Sequence, residues 1–401
     1  MKVLFLSYYY KPDITAAAFR STDFVNYLNK AGEDVRVITT YPHKSDNSSG
    51  ETAKDDIILK RIALRSVKGR GFKNFLLHYL SFIPKSISHS IKWSSGGWKP
   101  DIIYISSPPI FIGITGIFLK YFLRRKLVLE VRDIWPDSAV AAGQLKANGL
   151  AYKLASYFER FLYRRSNGIV CVSSPMRDYI KQYYKPEITV AYNGPKKEAI
   201  TVVNTKKAKL KNDEIRMAYA GNLGLVQGMD QLLEAFGKIR KSDLTNIWHL
   251  DIYGTGALEE ELKSQSQKMG INENVHFHGA LPKEILSTHL READVLYLGL
   301  ISSEALDKTI PSKLFDYLIF GKPILAAITG EGKDILENNQ ANLVLASCDS
   351  ENIVNGIVKL DKSLNERSLL ASGNIELLSG NYTREVNCQK IHQYLQEVIE
   401  K

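Results

Sequence analysis

The sequence predicts an α/β protein with two Rossmann-like domains, each built on a parallel sheet. The chain of 401 residues is longer than most single domains. Strand and helix patterns alternate along it, which is typical of parallel sheets with right-handed crossovers. Residues 1–200 hold 31 Lys and Arg against 16 Asp and Glu, a balance of +15, whereas residues 201–401 hold 22 against 27, a balance of −5. Halves of opposite charge indicate two domains with different partners.

The first half contains seven segments with the apolar composition of strands, and helical patterns lie between most of them. Helices are predicted at Ala17–Ala31 and Tyr152–Arg165. The predicted strands are Val3–Tyr8, Val35–Thr40, Ile57–Leu64, Asp101–Ile105, Leu127–Val131, Gly168–Val172 and Ile188–Ala191.

The second half repeats the pattern after Tyr192–Lys211, which is basic, polar and without periodicity, as in a linker. We therefore predict domains at residues 1–195 and 196–380, and a final helix at 381–401 that packs back on the first domain. The predicted strands are Arg216–Ala220, Trp248–Tyr253, Val275–Phe277, Val295–Leu300, Pro323–Ala327 and Leu343–Ala346. The predicted helices are Asp230–Arg240, Ala257–Met269, Lys283–Glu292, Ser312–Phe320 and Thr383–Glu400.

The composition is that of a globular protein, with 44% hydrophobic and 24% charged residues. No apolar run reaches 18 residues, so no transmembrane helix is predicted, and the first apolar run is too short for a signal peptide. The three cysteines (Cys171, Cys348 and Cys388) are far apart in sequence, which favours a reducing cytosol. The basic half could face nucleic acid or anionic lipid, but it lacks a nucleic-acid-binding motif, so we expect no nucleic-acid partner.

Loops that follow strands are the places to look for a site, because parallel sheets bind ligands beyond the carboxyl ends of their strands. Two glycine-rich loops have this position, one with Gly221, Gly224 and Gly228, the other with Gly254 and Gly256. Glycines let backbone N–H groups come close to a ligand, and a following helix start favours an anion. A plain tight turn explains either loop equally well.

The segment IPSKLFDYLIFGKP, residues 310–323, predicts an apolar helix with charged side chains in its first turns. Ser312 is placed to cap the helix, whose first N–H groups attract a phosphate. Lys313 opposes the helix dipole, a position that is unfavourable unless an anion binds there. Asp316, one turn further, could accept hydrogen bonds from ribose hydroxyls. The alternative is a Lys313–Asp316 surface pair, which the apolar neighbours disfavour.

The segment VHFHGAL places His276 and His278 on one face of a strand. Two histidines could bind a metal ion, but no third ligand stands at metal spacing, and no Asp-x-Asp motif for a diphosphate-bound cation is found. We interpret both histidines as ordinary strand residues and expect no metal or other cofactor.

In the first half, KLVLEVRDIWPDSAV ends a buried strand with Arg132 and Asp133. Arg132 could bind a diphosphate or acceptor oxygen, and Asp133 could orient or deprotonate an acceptor hydroxyl. A structural Arg–Asp pair is the alternative. The loop after the first strand, YYYKPDITAAAFRS, leads into a helix with small residues at its start and Arg20 one turn in, so a ligand could approach closely.

Residues 65–99 mix Lys and Arg with Phe, Leu, Tyr and Trp. A basic amphipathic segment of this kind can lie on an anionic membrane surface. The alternative is a core helix with a solvated basic face, and the basic character of the whole half slightly favours the membrane.

These segments together resemble the GT-B fold glycosyltransferases of the large retaining family four. Within it, they resemble the bacterial branch that builds O-antigen, capsule and colanic-acid repeats, including N-acetyl-L-fucosamine transferases. The resemblance runs nearly end to end. The segments that carry it are YYYKPDITAAAFRSTDFVNYLNKAGEDVRVITTYP, EVRDIWPDSAV, AYAGNLGLVQGMDQLLEAF, NVHFHGAL and, most specifically, IPSKLFDYLIFGKPIL.

The resemblance implies two Rossmann-like domains facing across a cleft, with acceptor bound by the first and the sugar nucleotide by the second. It implies donor contacts from Gly221, Asn222, Gly224, Gly254, Gly256, Phe277, Gly279, Ser312, Lys313, Leu314 and Asp316. Acceptor contacts are expected from Thr15, Ala16, Arg20 and Trp135, and catalytic roles from Arg132, Asp133, Lys313 and Glu304.

The chain departs from the family pattern at several of these positions. The family's glutamate pair falls at Lys308 and Asp316, with Glu304 the nearest carboxylate to the first. The usual arginine and lysine for the diphosphate fall at Asn222 and Gln227. The usual glycine pair is Ala16-Ala17, and the family's histidine falls near Arg132 or Asp133. Lys313 is therefore the better candidate for a diphosphate contact, together with Arg132.

The resemblance predicts metal-independent, retaining transfer of a hexose or N-acetylated amino-sugar from a UDP-sugar to an undecaprenyl-diphosphate-linked saccharide. The protein would then lie peripherally on the inner face of the cytoplasmic membrane. Two alternatives stay open: a UDP-N-acetylhexosamine 2-epimerase of the same shape, and a catalytically silent partner of a polysaccharide assembly complex.

Overall fold

The computed structural model describes residues 1–13, 15–42, 57–65, 72–141, 145–201, 214–239, 244–304 and 306–401. Part of the predicted linker, residues 202–211, lies outside these ranges, as do residues 66–71 of the predicted membrane segment. The described chain divides into two compact units. Each unit is an α/β structure on a parallel sheet, which confirms the predicted fold class.

The first unit comprises Met1–Ala139, Leu145–Tyr192 and Glu385–Lys401. Its described sheet has the order β3-β2-β1-β4-β5-β6-β7, so the crossovers reverse direction between β1 and β4. The strands are β1 (Lys2–Ser7), β2 (Asp34–Thr40), β3 (Ile58–Ile62), β4 (Ile102–Ser106), β5 (Lys126–Val131), β6 (Gly168–Cys171) and β7 (Ile188–Val190).

Helices cover both faces of this sheet because β1, β4, β5 and β6 are apolar on both sides, as buried parallel strands are. The Thr15 side chain caps α1 by accepting a hydrogen bond from Ala18 N at 3.2 Å. The helices are α1 (Ala16–Lys30), α2 (Phe72–Leu80), α3 (Phe82–Ser95), α4 (Ile112–Leu123), α5 (Asp137–Ala141), α6 (Leu150–Arg165) and α7 (Ser174–Lys181).

The second unit consists chiefly of Asn193–Arg384, and a short helix, α8 (Lys197–Thr201), lies near its start. Its described sheet has the order β10-β9-β8-β11-β12-β13, so the crossovers reverse between β8 and β11. The strands are β8 (Glu214–Ala220), β9 (Ile247–Tyr253), β10 (Val275–Gly279), β11 (Val295–Gly299), β12 (Ile324–Ala327) and β13 (Leu343–Val344).

Four described helices of the second unit were not predicted: α8 (Lys197–Thr201), α13 (Glu331–Glu337), α14 (Ser350–Leu370) and α15 (Gly373–Asn381). Asp349 caps α14 by accepting from Asn352 N at 2.9 Å, and the buried side chains of Ile353, Ile357 and Leu360 pack in the core against α9. The helices are α9 (Met229–Ile239), α10 (Glu259–Met269), α11 (Lys283–Glu292), α12 (Ser312–Leu318), α13 (Glu331–Glu337), α14 (Ser350–Leu370) and α15 (Gly373–Asn381).

The last helix, α16 (Arg384–Glu400), belongs to the first unit for all but its first residue. Ile391, Leu395 and Val398 are buried in one core with Val3 and Phe5 of β1. The Tyr394 hydroxyl accepts a hydrogen bond from Ile169 N at 3.1 Å, and the same hydroxyl donates to the carbonyl of Glu187 at 2.7 Å. The end of the chain thus completes the core around its first strand.

Candidate active site

In the second unit, the loops after β8, β9 and β10 are joined by backbone hydrogen bonds. Gly221 N donates to Tyr253 O at 2.8 Å, and Gly254 N donates to Gly279 O at 2.7 Å. A Cβ at Gly254 would lie 1.9 Å from Gly221 O, and one at Gly256 would lie 2.2 Å from Leu223 O. Packing of the loops on each other therefore requires glycine at 254 and 256. This structural requirement agrees with the alternative from the sequence, in which these glycines form tight turns.

Gly221 has a different neighbour, the side chain of Lys313. A Cβ at Gly221 would lie 2.1 Å from Lys313 Cε and 2.2 Å from Nζ, and the φ of Gly221 is +149°. The ammonium lies 4.0 Å from the centre of the Tyr219 ring and donates a hydrogen bond to the Tyr219 hydroxyl. The missing side chain at Gly221 is what makes room for Lys313 at the carboxyl end of β8.

Lys313 has no carboxylate partner among the residues that the structure describes. Burial lowers the pKa of Lys313 to about 7, because the protein has removed water from the ammonium without supplying a negative charge. The alternative of a Lys313–Asp316 surface pair is thus not found. A half-buried ammonium in this state favours any anion that can reach it.

Helix α12 is fixed to β8 through Tyr317. The Tyr317 hydroxyl accepts a hydrogen bond from Ala220 N at 2.8 Å and lies 3.3 Å from Ala220 O. The helix begins at Ser312, and Pro311 is the capping residue without a side-chain bond, so the prediction that Ser312 caps the helix was wrong. Pro311 already fixes the extended backbone that a cap requires, and Leu314 anchors the first turn in the core. These contacts hold Lys313 in place.

Asp316 lies one turn after Lys313 on α12 and is exposed to solvent. The surrounding protein nevertheless raises the pKa of its carboxyl, and the positive charges of Arg384 and Lys283 oppose that rise. Asp316 is therefore positioned to accept hydrogen bonds from a polar ligand. Sequence reasoning missed Lys283 because it lies 33 residues before Asp316 and no local pattern links the two positions.

The loop after β8 is closed by its own polar groups at the positions where the family has cations. Gly224 N donates to Gln227 Oε1 at 3.0 Å, and the Tyr219 hydroxyl donates to Asn222 O at 2.7 Å. Gln227 thus shapes the loop through its side-chain oxygen. Tyr219 and Tyr317 were missed from the sequence, although both stand in the quoted motifs, because tyrosines in apolar runs are usually core residues.

The loop after β11 carries Glu304 at an exposed position, with 92% of its side chain accessible. Its carboxylate pairs with Lys308 Nζ at 2.9 Å, so the lysine that replaces the family's first glutamate binds the nearest carboxylate. Asp307 in the same loop accepts from the Ser302 hydroxyl at 3.1 Å. Glu304 is therefore paired with Lys308 at the surface, and its catalytic role stays a prediction.

The two histidines of β10 take part in ring contacts. His278 lies 2.8 Å from an Asp251 oxygen and stacks on Tyr253 at 4.6 Å, while His276 stacks on His249 at 5.9 Å. The described residues contain no group of three His, Cys, Asp or Glu with metal-binding geometry. Of the neighbouring predicted contacts, Phe277 packs partly buried against the core, and Gly279 O accepts from Gly254 N.

In the first unit, Arg20 is buried. Its Nε donates to Glu130 Oε1 at 2.6 Å, and its second terminal nitrogen donates to Ala191 O at 3.0 Å. The predicted acceptor contact of Arg20 has no support in this position, because the guanidinium is already used by protein groups. Sequence reasoning could not find this pair, whose members are 110 residues apart.

Arg132 and Asp133 follow β5, and both side chains are partly buried. No ion pair joins them among the described residues, so the alternative of a structural Arg–Asp pair is not supported. Burial raises the pKa of the Asp133 carboxyl, and the charge of Arg132 opposes the rise. Burial lowers the pKa of Arg132, against the charge of Glu130. Both groups remain available for a ligand.

The remaining predicted acceptor contacts lie near the same sheet edge. Thr15 uses its hydroxyl to cap α1, and Ala16 is exposed in the first turn of that helix. Trp135 is partly buried and packs edge-on against Phe111, with ring centres 5.6 Å apart. The loops after β1 and β5 thus bring small and aromatic surfaces to the carboxyl edge of the first sheet.

Comparison with known proteins gives one consistent result. Residues 19–196 match the model of Glycosyltransferase Family 4, and residues 203–371 match the model of glycosyl transferases group 1. A protein of Pseudomonas aeruginosa described as a probable glycosyltransferase, WbjE, is 24% identical over 331 residues, 80% of this chain and 81% of the relative. An Escherichia coli K12 protein described as a putative colanic acid biosynthesis glycosyl transferase, WcaI, is 25% identical over 351 residues, 82% of this chain and 84% of the relative.

Solved structures agree on the fold. Anabaena HepE in complex with UDP superimposes with a TM-score of 0.68 at 16% identity and covers 99% of this chain and 100% of its own. WaaG, a glycosyltransferase involved in lipopolysaccharide biosynthesis, superimposes with a TM-score of 0.64 at 15% identity. The match covers 98% of this chain and 99% of WaaG. With a family match in each half, the chain is a GT-B glycosyltransferase of the family-four type.

Proposed function

We propose that the protein transfers a hexose or N-acetylated amino-sugar from a UDP-sugar to an undecaprenyl-diphosphate-linked saccharide. The observation that carries the donor half of this proposal is the Lys313 ammonium, which lies over Gly221 without a carboxylate partner among the described residues. A diphosphate supplies the missing negative charge. The HepE complex with UDP supports a uridine nucleotide.

The reaction retains configuration by departure of the diphosphate from the face that the acceptor attacks. The bond between the anomeric carbon and the diphosphate oxygen breaks, the bond to the acceptor oxygen forms, and the acceptor proton passes to the leaving diphosphate or to Asp133. Lys313 stabilises the charge that develops on the leaving oxygen. This route needs no carboxylate nucleophile, which agrees with the Lys308 partner of Glu304.

In the first unit, Asp133 and Arg132 are the proposed acceptor-side groups. The raised pKa of Asp133 makes its carboxylate a better proton acceptor than an ordinary aspartate. Arg132 has planar donors for an acceptor phosphate or hydroxyl. Trp135 and the small residues Thr15 and Ala16 would line the acceptor's path.

A role in surface polysaccharide synthesis follows from the relatives, since WcaI is described in colanic acid and WaaG in lipopolysaccharide biosynthesis. A lipid-linked acceptor would place the protein on the inner face of the cytoplasmic membrane. The described residues contain no helix long and apolar enough to cross a membrane. Lys313 would stabilise the leaving charge without a divalent cation.

The test is donor binding and single-turnover transfer by the purified chain. Thermal shift is measured against UDP-, GDP- and TDP-sugars, first with EDTA and then with Mg²⁺. We expect a shift with UDP-sugars in EDTA, because a ligand that binds only the folded state stabilises it. Lys313→Met should abolish the shift and lower turnover about 10²- to 10³-fold. Lys359→Met, at an exposed site on α14, is the matched control and should retain both.

Each other outcome selects an alternative. Turnover of the sugar nucleotide without acceptor would indicate the epimerase. No shift with any nucleotide, with or without an added lipid-linked acceptor, would indicate the silent partner. A Lys313→Met variant as active as wild type would refute the leaving-group role.

A further inference from the structure

An apolar surface of the first unit is left open to solvent along α4 and α6. The exposed residues repeat at helical spacing on both helices, and the exposed fractions of Leu150, Leu154 and Tyr157 are 75%, 62% and 72%. We name this surface the α4–α6 face. It comprises Ile114, Ile117, Phe118, Tyr121 and Phe122 on α4 and Leu150, Leu154, Tyr157, Phe158 and Phe161 on α6.

A groove of about 610 Å³ runs between the two helices, and its lining consists of isoleucine, phenylalanine and tyrosine side chains of this face. Phe118 and Phe122 stack along its edge with ring centres 5.6 Å apart. A contiguous exposed apolar surface of this kind marks a site of protein or membrane interaction, whereas single exposed apolar residues are common on any protein.

Ile117 and Phe158 also pack against the core of the unit, but the most exposed residues of the face are not part of that core. The opposite side of α4 already packs inward, where Ile112 and Leu119 are fully buried. The two helices meet closely because Gly113 lies under Leu162, whose Cδ2 would be 2.4 Å from a Cβ at position 113. The open stripe is therefore a second apolar face on helices that are already packed.

The charge around the face has one sign. Residues 112–126 and 150–165 contain eight Lys and Arg and a single acidic residue, Glu159. Glu159 is buried and accepts hydrogen bonds from Tyr163 at 2.7 Å and Tyr179 at 3.1 Å, so it does not reach the surface. Arg165 donates to the Tyr121 hydroxyl at 3.2 Å and lies 5.5 Å from the Phe161 ring centre. Aromatic residues and arginines are thus interleaved.

We propose that the α4–α6 face docks on the surface of an anionic lipid bilayer. The apolar stripe would enter the boundary between headgroups and acyl chains, with the tyrosines at headgroup level. The exposed basic side chains would extend to lipid phosphates, because long basic side chains can keep their charge in water above a buried stem. They are Arg124, Lys153, Arg160, Arg164 and Arg165. The uniform positive charge favours lipid over a second copy of this chain, whose own face would carry the same charge.

This surface differs from the one that the sequence predicted. In the described part of residues 65–99, α3 buries Phe82 and turns Ser86 and Ser90 towards the interior, while its exposed positions are Pro84, Lys85, Ser88, Lys92 and Ser95. Leu77 of α2 is the large hydrophobic residue exposed in that described part. The α4–α6 face exposes more large hydrophobic residues than the described side chains of residues 65–99 do, and its docking does not depend on the proposed sugar transfer.

The experiment is co-sedimentation of the full chain with vesicles of pure phosphatidylcholine and of 70% phosphatidylcholine with 30% phosphatidylglycerol. We expect binding to the anionic vesicles. Leu154→Ser/Tyr157→Ser should weaken it about ten- to a hundredfold, the effect of exposing two large apolar side chains. The matched control is Leu369→Ser/Leu370→Ser on α14, where the exposed fractions are 69% and 47%. It should bind as wild type does.

Folding of each variant is checked by thermal denaturation, and donor binding by UDP-sugar thermal shift. Retained donor binding with lost vesicle binding would support the proposal independently of the reaction. The proposal would be overturned if the wild-type protein did not bind anionic vesicles. It would also be overturned if Leu154→Ser/Tyr157→Ser bound them as strongly as the wild type. A wild-type dimer that this variant converts to a monomer, without vesicle binding by either, would assign the face to a second copy instead.

Discussion

The two units share the same order over six strands, but one cation near the carboxyl edge of each sheet, Arg20 in the first and Lys313 in the second, is held in opposite ways. In the first unit, Arg20 is buried beside Glu130 and the carbonyl of Ala191, and every part of the pair is enclosed. In the second unit, Lys313 lies over Gly221, where its ammonium contacts the ring and the hydroxyl of Tyr219. No carboxylate pairs with it among the described residues. Arg20 therefore stabilises the structure of the first unit, whereas Lys313 in the second unit is left available for a ligand.

The difference has an energetic meaning. A buried ion pair is stable only while both members are present, because either charge alone has lost its water. A lone, partly buried ammonium already bears that cost, and an arriving anion relieves it. The first arrangement should therefore be sensitive to mutation in the free protein, and the second should be sensitive to ligand.

The largest expected effect comes from breaking the pair in the first unit. Glu130→Ala leaves Arg20 buried without a counter-charge and should lower the free energy of unfolding by about 3–5 kcal/mol. Urea denaturation followed by circular dichroism measures the loss. The control Arg20→Met/Glu130→Leu removes both charges and should stay within about 2 kcal/mol of wild type. A double variant as unstable as Glu130→Ala would show that packing, rather than the unpaired charge, decides the outcome.

A smaller effect is expected from closing the space that Lys313 occupies. Gly221→Ala strains a backbone at φ +149° and should cost about 1–3 kcal/mol of stability. Its methyl group would also displace the Lys313 side chain, so UDP-sugar affinity should fall as well. Gly380→Ala, at a helical site with open space around the Cβ, is the control and should be neutral or slightly stabilising. If Gly221→Ala left the affinity for UDP-sugars unchanged, the absence of a side chain at position 221 would not be what allows Lys313 to bind the donor.

The smallest effect in the free protein is expected from Lys313→Met. This change removes a charge that has no carboxylate partner in the described chain, so stability at pH 7 should stay within about 1 kcal/mol or rise. The pKa of Lys313 is about 7 when folded and 10.5 ordinarily, so between these values the unfolded chain holds a proton that the folded chain has released. Stability from this group therefore rises with pH across that window.

The comparison of melting temperatures between wild type and Lys313→Met from pH 7 to pH 10 tests this sign. If the melting temperature of Lys313→Met exceeds that of the wild type at pH 7, this difference should shrink as the pH rises. A difference that is constant with pH would mean that Lys313 does not titrate in the window. Calorimetry of UDP binding at pH 8 in two buffers should also show proton uptake by wild type, because the diphosphate favours the ammonium.

The fold was predictable because its signal is local. All thirteen strands found in the described chain were predicted, with ends within about two residues, since a buried parallel strand is a short apolar run bounded by turns. Helix α14 was missed because its apolar residues are diluted by charged ones in Ser350–Leu370.

The site was predictable only in part. Lys313 could be found because a lysine in the first turn of an apolar helix is locally unfavourable. The contacts that hold it, through Tyr219 and Tyr317, join positions 94 and 97 residues apart, and no local pattern records them. Likewise, the apolar stripe of α4 looks like core in a sequence, because which face of a helix stays open depends on its neighbours.

The placement of α16 has a consequence for how the protein is made. The β1 strand is synthesised before the second unit, but the helix that shares its core, with Ile391, Leu395 and Val398, is synthesised only after all of Asn193–Arg384. The side of the nascent first sheet that includes Val3 and Phe5 therefore has α1 but not α16 packed on it while the second unit is translated. During that interval the chain exposes an apolar strand surface of the type that chaperones bind, so its cellular yield should depend on protection of the nascent chain.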